Sequence, residues 1–176
     1  PYDPEVYYQF TEAVRGMGDA CKVLNTPVTG GNVSFYNESP KTSVYPTPVI
    51  GMVGIIDDIR TVTTPWFKDP GDFICLMGTL KGDLGGTEYL HRIHGIVNGE
   101  PPNADIDFAN RLNRAVVTSI RDGFVKSAHD ISDGGLAVAL VESAINGPEI
   151  LGAEIFSMRK MRNDALLFGE TQSVVI

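Results

Sequence analysis

Val49-Ile50-Gly51-Met52-Val53-Gly54-Ile55-Ile56, introduced by Pro46-Thr47-Pro48, is apolar at every position apart from its two glycines. A strand with one wet face alternates apolar and polar side chains, so a run apolar on both faces is expected to be a central, doubly covered strand. Its glycines point to close backbone approach. Upstream, Asp3-Pro4-Glu5 predicts a helix start: a capping Asp, a Pro where no amide hydrogen is needed, and an acid near the positive end. Val6, Phe10, Ala13, Val14, Met17 and Cys21 then recur at helical spacing and predict one buried face. Residues Asn25 to Asn37 read as strand, glycine loop and strand. Asp57 to Gly71, with Pro65, Trp66 and Pro70, reads as a linker.

Beyond it the chain predicts a strand over Phe73–Met77, a short helix over Leu84–His94, and a longer helix capped at Ala104-Asp105. A strand over Val125–His129, a small-residue helix over Leu136–Ala144, a short helix over Asn163–Phe168 and a final strand follow. Strands and helices alternate without repeats, so the expected fold class is α+β, a mixed sheet layered with helices.

With 176 residues, 43% of them hydrophobic, the chain is long enough to bury a core, as one domain or one domain plus part of another. Its net charge of −8 leaves no basic footprint for nucleic acid and argues against an anionic membrane surface. A small phosphorylated ligand stays compatible, because amides, helix N-termini or a metal can hold phosphate in an acidic protein. No apolar run reaches membrane-spanning length and no signal-peptide pattern opens the chain. Cys21 and Cys75 read as reduced, buried thiols of a cytoplasmic protein. The start without Met and the β-like finish at Gln172–Ile176 predict a piece of a longer polypeptide.

Four constellations carry candidate chemistry. In Gly30-Gly31-Asn32-Val33-Ser34, glycines bare the backbone, while an amide oxygen and a hydroxyl suit a hard cation and phosphate or substrate oxygens; a tight hairpin turn is the bland alternative. In His129-Asp130-Ile131-Ser132-Asp133-Gly134-Gly135, Asp133 is expected to cap the following helix and the glycines could admit a phosphate; a metal reading of His129, Asp130 and Asp133 matches no closed zinc pattern. In Leu84-Gly85-Gly86-Thr87-Glu88, Thr87 and Glu88 read as cap residues, and His91 and His94 as a solvated helix face. Phe168-Gly169-Glu170-Thr171-Gln172-Ser173 offers a carboxylate, a hydroxyl and an amide that could bind a sugar or amide-bearing substrate or tie off a turn. No Ser-His-Asp order, Walker-type Lys or dinucleotide fingerprint is present.

Taken together, Pro27–Glu38, Tyr45–Gly54, Leu84–Leu90, Ser127–Ala137 and Phe168–Ser173 resemble, in order and over nearly the whole chain, the phosphoribosylformylglycinamidine synthase family. The His-Asp-Ile-Ser-Asp-Gly-Gly form is similar to the second pseudo-repeat of the small-type synthetase subunit. The resemblance implies that residues 1–58 are the end of a second N-terminal-type, ATP-binding domain. Residues 59–176 would then be a truncated C-terminal-type domain like that of aminoimidazole ribonucleotide synthetase.

It further implies an ATP-dependent carbon–nitrogen ligase of purine biosynthesis, using ATP and Mg2+ on formylglycinamide ribonucleotide with glutamine-derived ammonia. A glutaminase subunit and a small accessory subunit would be its partners. Residue by residue, Gly31 would contact ATP, Asn32 would ligate magnesium and Ser34 would contact substrate. The family's catalytic His lies in a first half outside these motifs, so no catalytic residue is assigned and the chain alone is expected to be inactive. The family's Glu-Ser-Gln-Ser is usually followed by Arg, where this chain has Val174. The alternatives are another ATP-dependent enzyme of the superfamily, such as selenophosphate synthetase or thiamine-phosphate kinase, and a non-catalytic scaffold repeat.

Overall fold

The computed structural model describes residues 3–34, 38–156 and 160–176, and they form two compact units, Pro1–Ile55 and Ile56–Ile176. In the first, α1 spans Pro4–Leu24. Asp3 caps it, its carboxylate accepting the Glu5 N–H at 2.9 Å, with Pro4 in the first turn. The helix ends where Asn25 turns left-handed (φ 53°) and sends its N–H to the Cys21 carbonyl, a C-terminal stop that amide side chains tolerate. The predicted buried face is only half-covered: no residue of α1 is buried and Val14 is 47% exposed.

The rest of this unit departs further from the sequence reading. No strand forms over residues 26–34, and Phe35–Asn37 lie outside the described residues. The 49–55 run is no central strand either, with Val49 94% and Val53 99% exposed. A Cβ at Gly51 or Gly54 would meet nothing within 4 Å. The reason is physical. Apolarity on both faces reports the environment a segment is built for, but a strand exists only where a neighbouring backbone completes its ladder, and no described residue supplies one.

The second unit has the expected α+β layering. A three-stranded sheet is built from β1 (Leu76–Gly78), β2 (His129–Asp130) and β3 (Ser173–Val175), in the order β1-β3-β2. Both pairings to β3 are antiparallel, setting Leu76 and His129 opposite Val175, and a single parallel bridge joins Thr64 to Ser127. The helices are α2 (Glu88–His94), α3 (Ile106–Arg121), α4 (Gly135–Ile145) and α5 (Asn163–Phe168). In α4, Gly135, Leu136, Ala139, Leu140 and Ser143 are buried, a helical stripe. Leu136, Ala139 and Leu140 pack with Leu80, Ile131 and Val175 in the core, flanked by Phe67, Ile74, Leu76 and Leu166. Small side chains on α4 permit that close approach, and each fully buried Leu or Val contributes about 1.5–3 kcal/mol.

The 57–71 stretch is more than a linker. It forms a 3-10 turn over Ile59–Thr61, and the Phe67 N–H binds the Ser143 carbonyl at 2.8 Å. Trp66 lies against Gly147, with the Lys68 ammonium 4.6 Å from its ring centroid. The cysteines are both free thiols, but neither is buried: Cys21 is half-buried, and Cys75, on the lead-in to edge strand β1, is exposed.

Candidate functional site

The Gly30–Ser34 loop follows α1 directly. Thr26 donates to the Cys21 carbonyl at 3.0 Å, and from Pro27 to Ser34 every residue is exposed. Gly31 is extended, and a Cβ at Gly30 or Gly31 would meet nothing within 4 Å, so no described neighbour crowds the backbone there. The structure thus places Gly31, Asn32 and Ser34 on one accessible four-residue stretch. Among the described residues no cluster of three His, Cys, Asp or Glu is suited to hold a metal ion. The donor set fits magnesium and a triphosphate as one wall of a site, with a neutral amide oxygen for a hard cation, a hydroxyl, and bare peptide N–H groups. Magnesium prefers six oxygens, so phosphates, water and carboxylates from elsewhere would complete the shell.

The other constellations lie in the second unit, and several of their polar groups are spent on bonds within the fold. His129 is largely buried, with Nδ1 2.7 Å from the Asp130 carbonyl oxygen and Nε2 3.0 Å from the Glu142 carboxylate, so both ring nitrogens are engaged. That removes the ring from the metal reading of His129, Asp130 and Asp133. Asp133 is exposed and does not cap α4, whose N-cap is Gly134 with no side-chain cap bond of its own. The glycines admit chain, not phosphate. The Gly135 N–H binds the Ser132 carbonyl at 3.0 Å, and a Cβ at Gly135 would lie 2.7 Å from the Phe168 backbone.

Thr87 caps α2 as expected. It is 1% exposed, donates to the Leu84 carbonyl at 2.7 Å and accepts the Leu90 N–H at 3.4 Å. The glycines before it seat another loop, because a Cβ at Gly85 would lie 2.0 Å from the Glu100 carbonyl oxygen. Glu88 pairs with Arg92 at 2.7 Å, and that hydrogen bond holds its carboxyl below the ordinary value. His91 is half-exposed, and His94, also exposed, packs edge-on against Tyr89. Asp105 caps α3, accepting the Phe108 N–H at 2.8 Å. A cavity of about 340 Å3 opens between the start of α3 and the Glu170–Gln172 segment, and a second of about 450 Å3 lies beside Lys126, which is held by Asp69 and Asp72. Neither includes Gly31, Asn32 or Ser34.

Residues 69–176 match the C-terminal domain of the AIR synthase related protein family, and residues 1–56 match its N-terminal domain. Over the whole chain the sequence is 49% identical to a phosphoribosylformylglycinamidine synthase subunit PurL from Moorella thermoacetica and 46% identical to that of Symbiobacterium thermophilum. It is 47% identical over 98% of its length to that of Alkaliphilus metalliredigens. The chain spans only 23–24% of the length of these relatives. With both domain types matched in order and in the same positions as the two units, the chain belongs to the AIR synthase related protein family.

Proposed function

We propose that this chain forms part of a phosphoribosylformylglycinamidine synthase, the ligase that converts formylglycinamide ribonucleotide, ATP and glutamine-derived ammonia to formylglycinamidine ribonucleotide, ADP and phosphate. The identity of 46–49% to PurL subunits along its whole length carries this reading. In it, residues 1–58 end an ATP-binding domain and residues 59–176 belong to the domain that follows. The backbone at Gly31 contacts the nucleotide phosphates, unobstructed because no Cβ stands there. The Asn32 amide oxygen serves as one neutral magnesium ligand, and the Ser34 hydroxyl orients the substrate by hydrogen bonding. Magnesium-bound ATP supplies the phosphoryl group that activates the substrate's amide oxygen and the charge neutralisation that this transfer requires. In this reading Gly31, Asn32 and Ser34 bind and orient.

A glutaminase subunit and a small accessory subunit complete the assembly in this reading, and the location is the cytoplasm. No described helix is long and apolar enough to cross a membrane. The test is Asn32→Ala in the intact enzyme, assayed for ATP turnover across magnesium concentrations. The expected result is a rise of roughly tenfold or more in the magnesium needed for half-maximal rate, as for the loss of about 1.4 kcal/mol of ligand binding. An unchanged magnesium profile refutes the assignment.

A further inference from the structure

The carboxylate of Glu170 is committed within the fold. Its Oε1 accepts two backbone N–H groups, that of Glu88 at 2.9 Å and that of Gly134 at 2.8 Å. The first opens α2 and the second is the N-cap of α4, so one oxygen serves two helix starts separated by 46 residues of chain. Two positions along, Gln172 Oε1 accepts the N–H of Asp105, the N-cap of α3, at 3.3 Å. Between them, the Thr171 hydroxyl donates to Ser173 Oγ at 3.3 Å and Ser173 Oγ donates to the Thr79 carbonyl at 3.1 Å, fastening the segment to the end of β1. The first N–H groups of a helix have no partner within it. Gly134 lacks a side chain to help and Asp133, exposed, is not the cap, so the acceptor comes from a residue 36 positions downstream.

We propose that Glu170-Thr171-Gln172 is a clasp that fixes the starts of α2, α3 and α4 against the sheet, in place of a ligand-holding motif. The segment looks like a substrate binder by composition because acceptors that seize backbone N–H groups have the same chemistry as acceptors that seize an amide or a sugar. Here the N–H groups are the chain's own. Glu170 and Gln172 also line the 340 Å3 cavity, so the clasp sets the distance between that cavity's walls.

Hydrogen exchange on the intact protein tests this. Glu170→Ala is expected to speed exchange at least tenfold in peptides reporting the Glu88 and Gly134 amides, while the Asp105 amide stays protected. Gln172→Ala is expected to give the converse pattern. Glu170→Gln, which keeps an acceptor oxygen, should restore protection to within a few-fold of the parent. Unchanged exchange at Glu88 and Gly134 in Glu170→Ala overturns the clasp. So does a raised substrate KM in that variant with exchange unaltered, which would return the motif to ligand binding. If Glu170→Ala does not fold, Glu170→Gln and Gln172→Ala decide: parent-like protection in the first with selective loss at Asp105 in the second supports the clasp, and any other pattern overturns it.

Discussion

Gly135→Ala probes the tightest seam of the second unit. Gly135 is buried at the start of α4 with φ +72°, a conformation that L-residues adopt at a cost of about 1 kcal/mol or more. The added Cβ would lie 2.7 Å from the Phe168 carbonyl carbon and Cα and 2.8 Å from the Leu167 carbonyl oxygen. All three are backbone atoms of α5, so no rotamer change relieves the contact and one helix must shift against the other, at a further cost of about 1–3 kcal/mol. The total of roughly 2–4 kcal/mol corresponds to a fall in Tm of roughly 8–15 °C for a unit of this size, read by calorimetry or far-UV dichroism. The control is Gly152→Ala, exposed, without positive φ, and with nothing within 4 Å of its Cβ; it should hold or raise Tm through reduced unfolded-state entropy. Gly135→Ala melting within 2 °C of the parent would refute the packing argument, and equal losses in both variants would make the effect a general property of removing glycine.

Two further predictions rest on single polar groups. Ser143 is 1% exposed and its Oγ has no hydrogen-bond partner among the described residues, so Ser143→Ala should leave stability unchanged or raise it by about 1 kcal/mol in urea unfolding; a loss above that size would mean that the hydroxyl is satisfied. Asp164 accepts from Arg162, which holds its carboxyl below the ordinary aspartate value, helped by the Ala165 N–H. Its ionised form is therefore favoured in the folded state, and the contribution is present above the ordinary value and lost as pH falls through the depressed one. The stability gap between parent and Asp164→Asn should be open at pH 7 and close below about pH 4, and a gap constant down to pH 3 would count against the pairing.

What the sequence made legible follows from how far each physical signal reaches. Caps are local: Asp3, Thr87 and Asp105 each lie within three residues of the N–H they accept, and each was readable from residue type and spacing. Helices expected over short local stretches also form, α3 behind its Asp105 cap with Leu112 buried and Phe108, Val116 and Ile120 half-buried, and α5 over Asn163–Phe168. The failures share one cause, that the deciding partner is distant. Asp133 has the composition of a cap, yet Gly134 takes its acceptor from Glu170, and nothing near either residue announces a bond across 36 positions.

The 49–55 run reads as a buried strand because its side chains are apolar, and it is exposed because no described residue pairs with it, which no local pattern encodes. The candidate site combines both regimes. The chemistry of Gly31, Asn32 and Ser34 is legible because amide, hydroxyl and bare backbone are properties of the residues themselves, whereas a site needs convergence, and convergence is tertiary. An exposed four-residue stretch carrying donors but no acid or base can bind and orient; it acquires catalytic meaning only against residues brought to it from elsewhere. For that reason magnesium dependence, and not the chemical step, is the property on which Asn32 should be judged.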